Sequence, residues 1–143
     1  MSSLDLFHDN SNGVITDKKM GREWLPKDAY GDLGKWTNLQ ETQTYIQTMR
    51  GVYAGGSNDW RLPTAEEALN LYNEEWNQQD WEGLDIHIHP AFVAKCSRYI
   101  WTSEENDSGE VRRVDLQNGS SEFIDKGTRE FQSARLVRDP SRK

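Results

Sequence analysis

The chain has 143 residues and a mass of 16.6 kDa, which fits one domain and leaves little room for two. Hydrophobic residues make up 34% and charged residues 29%, and no apolar run approaches the ~20 residues that span a bilayer, so a polar, soluble chain is expected. The net charge of −7 is uneven, with nine Lys/Arg against nineteen Asp/Glu in residues 1–111 and eight against five in 112–143, and this makes the chain a poor nonspecific partner for nucleic acid.

In chain order, Asp9-Asn10-Ser11-Asn12-Gly13 reads as a turn that leads into the β-branched run Val14-Ile15-Thr16. Arg22-Glu23-Trp24-Leu25 reads as a second short strand, stopped by Pro26, and residues 26–35 as a loop. Asn38 with Glu41 has the spacing of a capping box, and Leu39, Tyr45, Ile46 and Met49 follow as a helical stripe with Gly51 as its C-cap. After a turn at Gly55-Gly56-Ser57-Asn58, Thr64 and Glu67 form a second box. Ala65, Ala68, Leu69, Tyr72 and Trp76 then predict one apolar face of a longer helix. Residues 77–98 read as irregular. Strands are expected at 99–101, 111–116, 121–124 and 133–137, with Asn118-Gly119 as a hairpin turn. Two helices followed by a strand meander give an α+β fold. Six Trp, five Tyr and four Phe argue against disorder and for one core that draws on the whole length.

The single cysteine, Cys96, excludes an intrachain disulfide and any multi-cysteine metal site, and is expected to be a packed, reduced thiol. The N-terminus lacks the basic start and apolar core of a signal peptide. A cytoplasmic location is therefore expected of the chain as it stands, and an extracytoplasmic one if it is a trimmed piece of a longer protein.

Four motifs, in order over residues 9–138, resemble one family. The stretch Asp9 to Asp17 with Gly21 and Trp24 is similar to the opening "DNGDGTVTD…TGLMW" of the domain of unknown function 1566, the Legionella collagen-like protein C-terminal domain. Trp60-Arg61-Leu62-Pro63-Thr64 with Glu67 and Leu71 resembles "WRLPT…EL…L", and Tyr99 to Glu104 resembles "YWSSTE" with one insertion. Val114-Asp115-Leu116 with Asn118-Gly119, then Ala134-Arg135-Leu136-Val137-Arg138, resembles "VDFSNG…VRCVR". The chain departs from that pattern at Leu136, where a Cys is common, and at Arg22-Glu23, where an apolar pair is usual. The resemblance implies a C-type-lectin-like fold akin to that of formylglycine-generating enzymes. That fold has two helices, a twisted antiparallel sheet and termini close together. The expected division is a lead-in at 1–8, the domain at 9–138 and a tail at 139–143. Trp24, Trp60, Arg61, Pro63, Thr64, Trp101 and Arg138 are expected to be structural, with Trp60 in the core and Arg61 forking onto a carboxylate or carbonyls.

Signals for chemistry are thin. No nucleophile elbow and no phosphate-cradling glycine loop is present, and the oxidase chemistry of formylglycine-generating enzymes needs paired cysteines. His87 and His89, two apart in an extended segment with Asp85 behind them, have metal-ligand spacing, against the alternative of a loop with Ile86 and Ile88 turned inward. His8, Asn10 and Asn12 follow the spacing of a Ca²⁺ loop but lack its downstream acid, which argues for a hairpin turn. The oxygen-rich run 104–110 is a second Ca²⁺ candidate, weighed against a turn that keeps the sheet edge soluble. Trp81 breaks the helical pattern in a polar loop and is the expected aromatic contact. Asn77, Gln78, Asp80 and Glu82 are expected beside it, joined by Glu104, Glu105 and Asp107 from the second loop.

The expected function is thus a non-enzymatic binding module for a glycan or a protein, without catalytic residues, cofactor, nucleic-acid partner or membrane insertion. The alternatives are a structural or oligomerising subunit of an adhesin, phage tail or other surface assembly, or an enzyme with an unrecognised site. Acidic loops favour a neutral or cationic ligand, or one bridged by a divalent cation. A polyanion would instead use Arg112, Arg113, Arg129 and Arg135.

Overall fold

The computed structural model describes residues 6–11, 13–93, 95–128, 130 and 132–139. Within them the strands β1 (Phe7–Asp9), β2 (Ile15–Asp17) and β3 (Arg22–Trp24) precede the helices α1 (Ala29–Leu33), α2 (Leu39–Gly51) and α3 (Ala65–Leu69). There follow β4 (Gln78–Gln79), β5 (Asp85–Ile86), β6 (Tyr99–Glu105), β7 (Val111–Asp115), β8 (Ser121–Ile124), β9 (Gln132–Ser133) and β10 (Val137–Arg138). The fold is α+β. One four-stranded sheet runs β1-β2-β3-β10 and is antiparallel throughout; a second runs β8-β7-β6-β9, with β9 parallel to β6; β4 and β5 form a small hairpin. None of the described helices is long and apolar enough to cross a membrane.

The first sheet has two buried faces. Ile15, Trp24 and Val137 lie in register across β2, β3 and β10 and point into a cluster with Phe7, Leu71, Trp76, Ile86, Phe92 and Ile100. Their chain neighbours Val14, Leu25 and Leu136 point the opposite way, toward Tyr45, Ile46 and Trp60. Successive residues of an extended chain face opposite sides, so three adjacent apolar pairs feed two clusters rather than the single core expected. Phe7 is 6% exposed, so the packed structure begins inside the stretch expected to be a lead-in.

Both capping boxes form. In α2 the Asn38 side chain accepts from Glu41 N at 2.9 Å, and Glu41 accepts from Asn38 N at 3.1 Å. Gly51 is the last helical residue, and Val52 caps it. In α3 the reciprocal bonds join Thr64 and Glu67. That helix ends after Leu69, however, and the apolar face expected through Trp76 does not exist as a helix face. Tyr72 instead bridges Ile88, and Asn73 N donates to His87 O while its own side chain accepts from Glu75 N. Local turn chemistry at Asn73 and pairing with the 86–88 segment override the helical periodicity. Leu71 is consequently buried, and Leu69 is left 36% exposed.

The expected loop at 26–35 contains α1. Asp28 caps it by accepting from Gly31 N at 2.9 Å, and Gly34, at φ 70°, closes it in the left-handed region. The segment expected as one strand over 133–137 is two. Ala134 O and Leu136 O leave the second sheet to bond Ala29 N and Leu25 N, and β10 then joins β3 and a bridge to Arg61.

Candidate functional site

The central motif is structural. Trp60 has no exposed surface, and its indole N–H donates to Ala54 O at 2.7 Å. Trp24 and Pro63 are buried, as is Trp101, whose indole donates to Thr37 O. The half-buried Arg61 forks onto both Glu67 oxygens at 2.7 and 2.9 Å and reaches Asp139 at 2.9 Å. Arg22 Nε lies 2.6 Å from the same glutamate. These cations hold the Glu67 carboxyl at about 2, the Arg61 bonds contributing most and burial opposing. Arg138 pairs with Glu23 and Asp59.

Outside the two buried clusters lies a third group of aromatic rings. Trp36 stacks on Tyr30 with centroids 4.2 Å apart and planes 15° apart, and Trp81 meets Trp36 edge-on at 5.0 Å and 70°. All three are half-buried. Each stands on backbone pinned to the starts of β6 and β9 or the chain leading into them. Tyr30 N donates to Ser133 Oγ, Thr37 N beside Trp36 donates to Gln132 O, and Trp81 N donates to Cys96 O. At the same end Tyr99 carries Arg98 and Arg113 over its ring, at 4.9 and 3.9 Å, and Arg98 forks onto Asp115. Trp81 was the member legible in the sequence. Tyr30 and Trp36 were not, although an Asp28-to-Gly31 cap was the available signal for the helix that carries Tyr30.

The polar residues expected around Trp81 divide by use. The Asp80 carboxylate is 1% exposed and accepts from Glu82 N and Leu84 N, which closes the turn beneath Trp81. Gln78 donates to His89 O and Phe92 O. Asn77 and Glu82 are exposed. The second loop lies at the other end of β6, about 20 Å of strand away. There Asn106 accepts from Ser108 N and Glu110 N to form the turn, Glu104 pairs with Arg112 at 3.1 Å, Glu105 pairs with Lys126 at 3.0 Å, and Asp107 is exposed.

The histidines diverge. His87 Nδ1 donates to Trp76 O, whereas His89 is buried between Phe7 and Trp76 and its Nδ1 accepts from Ala91 N. Asp85 sits in β5, exposed, while Ile86 and Ile88 turn inward. Among the described residues no group of three or more His, Cys, Asp or Glu side chains is placed to hold a metal ion. In the β1–β2 hairpin His8 pairs with Thr16 and Asn10 donates to Val14 O and Thr16 Oγ1; Asn12 lies outside the described residues. Cys96 is buried, and burial pushes its thiol up to about 11, away from the reactive thiolate.

Of the arginines weighed as an alternative surface for a polyanion, two are buried. Arg135 is 1% exposed, its guanidinium packed over Phe92, and Arg113 is 8% exposed. Only Arg112 remains half-exposed, already paired with Glu104, and Arg129 lies outside the described residues. A side chain's charge is visible in a sequence, but the burial that removes it from solvent is not.

Among known proteins, the family model described as the Lcl C-terminal domain matches residues 13–138. No curated protein and no solved structure matches the chain.

Proposed function

The chain belongs to the Lcl C-terminal domain family, and from that premise we propose a non-enzymatic binding module with a C-type-lectin-like fold that recognises a neutral glycan through Trp81, Trp36 and Tyr30. One observation carries this reading. Three large aromatic rings, one pair stacked and the third edge-on to it, pack together half-buried outside the two apolar clusters. Rings of this kind offer the apolar faces of a sugar a rigid contact, while neighbouring polar groups such as Asn77 and Glu82 remain exposed for its hydroxyls. The lectin-like assignment is supported by the first and last described strands sharing one sheet. The module needs no cofactor in this reading, and neither nucleic acid nor membrane insertion is part of it. The test is a glycan array run with and without EDTA, followed by Trp81→Ala and Trp36→Ala on the best hit. Each variant is expected to weaken binding more than tenfold. Unchanged affinity, with chemical shifts confined to residues 112–138, would remove the aromatic cluster as the site.

A second reading, an oligomerising subunit of a surface assembly, is favoured by Val52 and Tyr53, which are 67% and 58% exposed just beyond α2. Sedimentation of Val52→Asp beside the parent chain separates the two readings, since only an assembly contact would be lost.

A further inference from the structure

Two hollows meet at Asp32. The first, of about 340 Å³, lies between α1 and α2 and is walled by Leu33, Tyr45 and Met49. The second, of about 250 Å³, is walled by Leu25, Ala54 and Val93. Asp32 and Met49 line both, so the hollows adjoin in a shallow groove with the carboxylate of the exposed Asp32 at its waist. None of Tyr30, Trp36 and Trp81 lines it, which separates it from the aromatic cluster. Its size falls in the ~300–1,000 Å³ range of small-molecule sites.

The waist has a defined polarity. One Asp32 oxygen, Oδ2, accepts the phenolic proton of the buried Tyr45, and burial together with that bond pushes the phenol far above its usual range, so it stays a donor. The other oxygen, Oδ1, accepts no hydrogen bond among the described residues. Lys35 on the rim is held by Glu41 at 3.4 Å, and Lys27 lines only the second hollow. Asp28, close by, is buried with its oxygens on Gly31 N and Ser97 N, and at Tyr45 its charge acts with that of Asp32 and is opposed by the buried Arg135. Leu33 and Val93, 46% and 42% exposed, are the open apolar walls.

We propose that this groove binds a small amphipathic amine, its apolar body along Leu33, Met49 and Val93 and its ammonium on Asp32 Oδ1. An anionic oxygen set among apolar walls favours a cationic donor, because a charge-assisted hydrogen bond is about twice as strong as a neutral one. A carboxylate ligand of the same shape is repelled by Asp32, which lines both hollows.

The experiment titrates the whole ¹⁵N-labelled chain with 2-phenylethylamine, 2-phenylethanol and 3-phenylpropionate. The amine is expected to give saturable shifts at residues 32–35, 44–49 and 93. The alcohol should bind at least tenfold more weakly, and the acid should not saturate. Asp32→Asn, which still accepts from Tyr45, should reduce amine binding to the level of the alcohol. The exposed-wall variant Leu33→Lys, which places a cation beside the waist, should weaken the amine without changing the rest of the spectrum. Equal binding of amine and alcohol, an amine affinity unchanged in both variants, the absence of saturable shifts, or shifts confined to Tyr30, Trp36 and Trp81 would each overturn the proposal. The last outcome would leave the aromatic cluster as a site, so failure here is distinct from failure of the glycan reading.

Discussion

Trp60 combines two losses in one substitution. Its indole is fully buried against Val14, Tyr45, Ile46 and Leu136, and its N–H supplies Ala54 O. Trp60→Ala should therefore cost about 3–5 kcal/mol, read as a lower urea midpoint at unchanged slope. A midpoint within the range of surface variants would mean that the indole is not packed. The same scale explains why the roles of residues in the proposed binding loop were only partly legible. The run 77–82 has the composition of a sugar site, yet Asp80 and Gln78 spend their polar atoms on nearby backbone. A side chain that closes a turn and one that awaits a ligand are identical in a sequence; only the conformation of the following residues tells them apart. Trp81 could be found because it interrupts a pattern. Trp36 could not, because its stacking partner sits on a helix that the two glycines at 31 and 34 disguise as a loop.

At the scale of elements, the starts of α2 and α3 were legible and the end of α2 was read to within one residue, but the end of α3 was not. A start is local chemistry, four residues that satisfy one another's backbone, and Thr64→Ala should cost about 1 kcal/mol for that reason. The end of α3 is set by Tyr72 and Asn73 pairing with a segment about fifteen residues further on, which no periodicity encodes. The turn after β7 shows the same dependence on distant chain. Asn118-Gly119 was readable as a turn, but not that Tyr72 lies over it. A Cβ on Gly119, whose φ is 74°, would stand 2.8 Å from the Tyr72 ring. Gly119→Ala should thus destabilise by about 1 kcal/mol or more, through backbone strain and through that clash. Thermal unfolding of Gly119→Ala, Tyr72→Ala and the double variant separates the two causes. The double should be less destabilised than the sum, whereas strict additivity would mean that the ring already has room to move.

Across the whole molecule, the ends of the fold are joined by charge as well as by sheet. Glu67 at the start of α3 receives Arg61 from the bridge to β10 and Arg22 from β3, and both arginines extend to Asp139 just past β10. Arg138 makes a second junction, with Glu23 of β3 and Asp59 ahead of the central motif, and it lowers the Asp59 carboxyl. Exposed ion pairs contribute little, but Glu67 is 5% exposed and held in bidentate geometry, so its protonation is coupled to folding. The Glu67 carboxyl titrates at about 2 in the fold against the ordinary 4.5 when unfolded, so the native state binds fewer protons across that interval. Its contribution is complete above about pH 4.5 and is lost as the pH falls through about 2. Urea unfolding followed from pH 7 to pH 2.5 should show stability unaffected by this group down to about 4.5 and declining below it. Glu67→Gln keeps a side chain able to complete the capping box while removing the charge. That variant should be less stable at pH 7 and should lose stability more shallowly below pH 4.5, the two curves converging toward acid. Parallel curves over the whole range would assign the acid limb to other carboxylates and leave Glu67 as a cap alone.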